Sequence, residues 1–217
     1  MNMLPSGRLP LAAAALLSLV PLFVFPAFPL APQQNVPKQA QLPYPETSER
    51  GNARIFYWGG DHSGGEMMID YGRPAWKPEY AAQLDQMLGV RWRLGQNFWT
   101  HLDTNMDLAG VGLDGEGDID VPAGLYYVAL ERKKEDKNFV LWLLDPTEIR
   151  EQKLDAFQAP QTKGGIALPM TYTEVAKSAD RLELRLDVDP KRKDVATLVV
   201  HFGTHQLTAA LTMHPGK

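Results

Sequence analysis

Apolar and charged residues alternate from Leu182 to Val188. Leu182, Leu184, Leu186 and Val188 fall on one side, and Glu183, Arg185 and Asp187 fall on the other. A period of two marks a half-buried strand, because successive side chains leave opposite faces of an extended chain. Two more strand-like runs follow, Thr197–Phe202 and Gln206–Met213, separated by Gly203-Thr204. Glycine beside a small polar residue is a turn signal, so the two runs are expected to pair as a hairpin. Leu207, Ala209, Leu211 and Met213 share one face of the second run. Shorter apolar runs predict strands at Arg54–Trp58, Glu66–Tyr71, Val90–Arg93, Phe98–Leu102, Gly124–Glu131, Phe139–Asp145 and Ile166–Tyr172. Lys133–Asn138 is a charged turn between two of them. Pro78–Met87 predicts a helix with proline near its start, and Pro146–Phe157 a second short one. Many short strands with frequent turn signals predict a mainly β chain, an antiparallel β-sandwich or barrel-like domain with one or two short helices.

The pattern changes toward the N-terminus. Leu9–Ala31 runs 23 residues without a charge, preceded by Arg8. Two readings stand. A secretory signal peptide has an apolar stretch of this kind after a basic start, although Pro29 and Pro32 flank the best small-residue cleavage position, Ala31. An uncut N-terminal membrane anchor is the other, since about 20 apolar residues span a bilayer; Pro21, Pro26 and Pro29 count against a regular helix there. Both place the remainder outside the cytoplasm, in the periplasm or on the outer face of a membrane. Residues 32–51 are rich in proline and glutamine and poor in large apolar side chains, which predicts an extended linker. The expected organisation is a signal peptide or anchor over 1–31, a linker over 32–51 and a β domain over 52–217.

Charge and composition narrow the function classes. The net charge is −4. A mildly acidic domain offers no electrostatic footprint for phosphates, so nucleic acid is not an expected partner. Cysteine is absent. That removes thiol nucleophiles, thiolate metal sites and disulfides, and leaves stability to apolar burial.

Three local patterns occur in order: Tyr71-Gly72-Arg73-Pro74, Trp92-Arg93-Leu94-Gly95-Gln96-Asn97 and Val121-Pro122-Ala123-Gly124-Leu125-Tyr126. Together with the closing stretch Ala196–Met213, they resemble a bacterial family of exported proteins known as DUF2911, whose usual patterns are Y-x-R-P, V-W-R-x-G-A-N and L-P-A-G-x-Y. The resemblance extends over about Met67–Met213. Where the family usually has a glycine- and proline-rich turn before the Trp-Arg motif, this chain has Ala81–Gly89, AAQLDQMLG. The resemblance implies a β-rich exported domain and no particular activity.

Several residue groups invite chemistry. Gly60-Asp61-His62-Ser63-Gly64-Gly65 approaches a serine-protease run, but His62 separates the aspartate from the serine and would displace the oxyanion-hole donors. His201 and His205 could approach each other only if the chain turns between them, and a metal would then need a third ligand, with His62, His101 and His214 as loose candidates. Asp114, Glu116, Asp118 and Asp120 form a closely spaced acidic run without the EF-hand pattern. Arg73 and Arg93 lie beside aromatic or proline residues. With Tyr71, Trp92 and Asn97 they could line a ligand-binding pocket, or they could form ion pairs that fix loops. Of the five tryptophans, most are expected in the core, and one or two exposed ones could anchor a partner. No catalytic residue, metal or cofactor is assigned. The leading expectation is a non-catalytic extracytoplasmic binding or docking module, such as an accessory subunit on the outer face of a membrane protein complex, or one contacting a cell-envelope component. The alternative is a small-molecule-binding protein or hydrolase with a pocket near Arg73, Arg93 and Asn97.

Overall fold

Among the described residues ten strands dominate. The computed structural model describes residues 49–58, 64–97, 99–112, 118–136 and 138–215, all within the unit 45–217. Strands β1 (Arg50–Tyr57) and β2 (Gly65–Gly72) pair antiparallel. A 3-10 turn over Pro78–Ala82 runs into the short helix α1 (Gln83–Gln86). Then come β3 (Arg91–Arg93), β4 (His101–Thr104), β5 (Asp107–Val111), β6 (Asp118–Val121), β7 (Gly124–Arg132) and β8 (Phe139–Leu144). Helix α2 (Pro146–Glu151) and a 3-10 turn over Ala159–Gln161 precede two long strands, β9 (Ile166–Val188) and β10 (Val195–His214). Asp145 caps α2, its side chain accepting from Thr147 N at 2.6 Å, with Pro146 in the first turn where no backbone donor is needed.

The strands form one large antiparallel sheet in the order β1-β2-β4-β7-β8-β9-β10-β5-β6, with β3 pairing the C-terminal half of β7 beside β4. The sheet is open at β1 and β6 but curls back on itself. Residues just after β2 run against β9: Ala75 bridges Arg181, Trp76 N donates to Asp180 O at 2.7 Å, and Leu182 N donates to Pro74 O at 3.0 Å. This contact turns the sheet partway toward a barrel.

The inner face holds the core. Met67, Ile69, Leu102, Leu108, Leu141, Leu143, Leu168, Leu184, Leu198, Leu211 and Met213 are buried together. Each comes from every second position of its strand, as a pleated chain with one inward face requires. Strand β8, FVLWLL, lacks this alternation because both of its faces are covered. Leu144, with Ala129 of β7, packs outward against Ile149 of α2 and Ala159. Arg91 fastens the same outer layer: its guanidinium lies 3.5 Å from the Trp142 ring centre and donates to Thr162 O and Gly164 O at 2.7 and 2.8 Å. Burial pulls the Arg91 pKa down from its ordinary value, and Glu131 opposes the shift.

Several expectations are corrected. The C-terminal runs do not form a hairpin with each other: β10 is continuous through Gly203-Thr204, and its hairpin partner is β9, across the turn after Val188. Gly203 adopts φ +62° at a register shift, and its α-carbon lies against the Trp76 indole. A glycine required for close packing carried the same sequence signal as a turn. The runs Ile166–Tyr172 and Leu182–Val188 are the two ends of the single strand β9. The domain starts within the stretch read as linker, since Arg50 and Gly51 already pair with Gly72 and Tyr71. The segment after Pro78 is half 3-10 turn and half α-helix. None of the five tryptophans belongs to the buried core; Trp58 is 85% exposed. The stretches 1–31 and Gly60–Ser63 lie outside the described residues, as do Asp114 and Glu116. Among the described residues no helix is long and apolar enough to cross a membrane.

Candidate functional site

The curl of the sheet leaves a cavity of about 340 Å³ between its inner face and the helical segment after Pro78. The sheet contributes Leu130 from β7, Leu182 from β9, and Val200 and Leu207 from β10. Leu84 of α1 and Met87 cover one side, while Trp92, Leu94 and Gln96 line another. A packed aromatic group forms the rest of the wall. The Trp76 and Phe202 rings meet edge to face at 4.9 Å, and Tyr80 lies 6.1 Å from Trp76 and 5.8 Å from Phe202.

Local sequence explains how this wall is placed. The bridge at Ala75 holds Trp76 against β9 and β10. Gly203 has no side chain to obstruct the indole; a β-carbon there would lie 2.5–2.7 Å from Trp76 ring atoms. His205 follows two residues later, 5.5 Å from the Trp76 ring and stacked on Tyr172 at 6.0 Å. Its Nδ1 lies 2.9 Å from the Tyr172 hydroxyl. The remaining polar lining residues are Gln83, Arg93 and Gln96, and among the described residues none that lines the cavity is an acid, serine or threonine.

The residues singled out from sequence are only partly brought together. Trp92, 36% exposed, and Arg93 line this cavity. The Arg93 guanidinium lies 5.1 Å from the Phe157 ring centre, and among the described residues its buried Nη1 has no hydrogen-bond partner. Arg73 lines a different, polar depression with Arg181, Lys177 and His201, and it pairs with Glu49 at 3.1 Å. Tyr71 is a core residue, 5% exposed, with its ring against Gly51. Asn97 has a left-handed backbone, φ +63°, and lines neither depression.

The three ordered motifs have structural work. The first two touch: Gly72 packs directly on the Gln96 backbone, and Gln96 Nε2 reaches Arg73 O at 3.5 Å. In the third, the Tyr126 hydroxyl donates back to Pro122 O at 2.7 Å and fixes the entry to β7. Burial raises the Tyr126 pKa, with smaller contributions from Asp145 and Asp107.

His201 and His205 lie along one strand and have separate partners. His201 is buried, with Nε2 3.1 Å from Lys177 O. Among the described residues no group of three His, Asp or Glu side chains is placed to hold a metal ion. Sequence reading did not find Trp76, Tyr80 and Phe202 as a unit, because the bridge between residues 75 and 181 brings them together. No family model, curated protein or solved structure matches the chain.

Proposed function

We propose that this domain is a non-catalytic binding module, working outside the cytoplasm, that holds a small and largely apolar ligand in the cavity between β7, β9, β10 and α1. The observation that carries this reading is the cavity itself. Small-molecule sites are concave, mostly apolar, carry a few polar groups and occupy some 300–1,000 Å³; this one is about 340 Å³ and has that lining. An apolar cavity of about 150 Å³ already accepts benzene, so one ring with substituents fits here. Among the described lining residues there is no acid, serine or threonine to act as nucleophile or carboxylate base, which favours binding over turnover. The uncharged stretch Leu9–Ala31 supports export, and the three ordered motifs support kinship with the DUF2911 proteins.

Methyl NMR of the 45–217 unit titrated with toluene tests the cavity. Shifts confined to methyls that line the cavity, such as those of Leu130, Leu182, Val200 and Leu207, are expected, and Leu84→Trp should abolish them by filling the space from a half-buried position. Shifts spread over the surface, or none, would remove the proposal.

A second reading, docking onto a membrane protein complex or cell-envelope component, is favoured by one feature. Phe56 and Trp58, 56% and 85% exposed, stack on each other at 5.8 Å at the end of edge strand β1. Exposed aromatic residues of this kind suit a protein contact. If they serve one, Phe56→Ser/Trp58→Ser should lose co-purification from native membranes in mild detergent without altering toluene binding.

A further inference from the structure

Resting on the cavity reading, we propose that the ligand is an anion with a compact apolar body, its acidic head held by His205, which is thereby the specificity-determining residue of the site.

The side chains at the cavity point to one sign of charge. Arg93 lines it, the other polar side chains there are Tyr80, Gln83, Gln96 and His205, and no Asp or Glu is among the described lining residues. Among these residues a cation would therefore meet no counter-charge. The aromatic wall does not substitute for one. Trp76, Tyr80 and Phe202 lie only 4.9–6.1 Å apart, centre to centre, and pack on each other. A cation-binding cage needs rings spaced around an empty centre, with the cation over their faces. Here that space is already occupied by the rings themselves.

His205 has only one of its two ring nitrogens engaged among the described residues. Nδ1 is engaged by the Tyr172 hydroxyl at 2.9 Å, and among the described residues Nε2 has no hydrogen bond. When Tyr172 donates to Nδ1, Nε2 carries the proton and is a donor. The stack of Tyr172 on Phe139 at 5.6 Å and on His205 at 6.0 Å, with the Trp76 ring 5.5 Å from the imidazole, restrains the imidazole plane. A ring held in this way is pre-organised to meet an acceptor on a ligand whose body lies against Leu182 and Leu207. A carboxylate is the acceptor that gains most, since hydrogen bonds to charged groups are the stronger kind.

Three probes with one ring and different heads test this: toluene, benzoate and benzylamine, titrated by NMR into the full described domain. Benzoate is expected to bind about tenfold or more tighter than toluene, the ratio that a charged hydrogen bond supplies, and benzylamine weaker than either. His205→Phe keeps an aromatic ring in the stack and should bring the benzoate affinity down to that of toluene measured in the same variant. His205→Gln, which keeps a donor, should recover part of the preference. If toluene binds in the cavity but benzoate gains nothing, or His205→Phe leaves the benzoate preference intact, this inference fails and the cavity reading stands. If benzylamine binds best, the assigned charge is wrong. If no probe enters the cavity, both fall.

Discussion

Gly203 sits in a strand with φ +62° and the Trp76 indole against its α-carbon. Alanine there meets two penalties. The left-handed conformation costs a residue with a β-carbon about 1–2 kcal/mol, and the new methyl displaces a ring that lines the cavity. Gly203→Ala is therefore expected to lower stability by about 2 kcal/mol or more, a fall in melting temperature of roughly 4–8 °C for a domain of this size. It should also change tryptophan fluorescence. A melting point within a degree of the parent would show that β10 relaxes freely there. Tyr126 makes a different kind of contribution. Its hydroxyl bonds Pro122 O from a buried ring, and Tyr126→Phe should cost about 1 kcal/mol in denaturant titration near neutral pH. The raised Tyr126 pKa means that the fold favours the neutral phenol. Its contribution is whole below about pH 10, the free tyrosine value, and is lost as pH rises through the folded value. The phenylalanine variant should lack that part of the alkaline loss, so the stability gap between the two proteins should narrow at high pH.

At the scale of elements, β9 and β10 carry the architecture. One edge of β9 pairs β8 near its start and meets Ala75 later, while its other edge pairs β10. Leu184 of β9 and Leu211 of β10 both point into the core. Leu184→Asp or Leu211→Asp removes an apolar contact and buries an unpaired carboxylate, so each should cost several kcal/mol. Each variant should unfold at much lower urea concentration than the parent, and a melting point within a degree or two would show that the register of that strand is different. The helical segment over Pro78–Gln86 is the opposite case. It is short, partly 3-10, and none of the residues of its first turn is buried. Its position depends on the aromatic contacts of Trp76 and Tyr80 rather than on helix propensity.

For the whole molecule, folding is expected to proceed without the N-terminal stretch. The 45–217 unit contains the entire described sheet and core, so deletion of Met1–Ala31 should leave a folded protein whose circular dichroism is dominated by β structure. If Leu9–Ala31 is kept as an anchor, the native protein should remain with membranes through a high-salt wash, because salt screens surface charges but does not extract a buried apolar segment. Its intact mass should then be near 24.2 kDa. Removal of a signal peptide would instead leave a chain roughly 3 kDa lighter.

What the sequence determined by itself was local. Alternation placed Leu182, Leu184, Leu207, Ala209, Leu211 and Met213 on buried faces, and the charged stretch after Arg132 joins β7 to β8 as expected. The mainly antiparallel β class followed from the same period of two, which the pleat imposes on any strand with one inward face. Strands β5 and β6 were not legible, because Asp107–Val111 and Asp118–Val121 are only five and four residues long, too short to show a period, and each opens on an acid. Tertiary structure alone decided the rest. Both β8 faces are buried because α2 covers the outer one. Gly203 is a packing position, not a turn, because Trp76 comes to lie on it from more than 100 residues away. The cavity has the same origin. Its walls come from segments that meet only when the chain after β2 bridges β9, and no window of sequence encodes the distance between Trp76, His205 and Leu182.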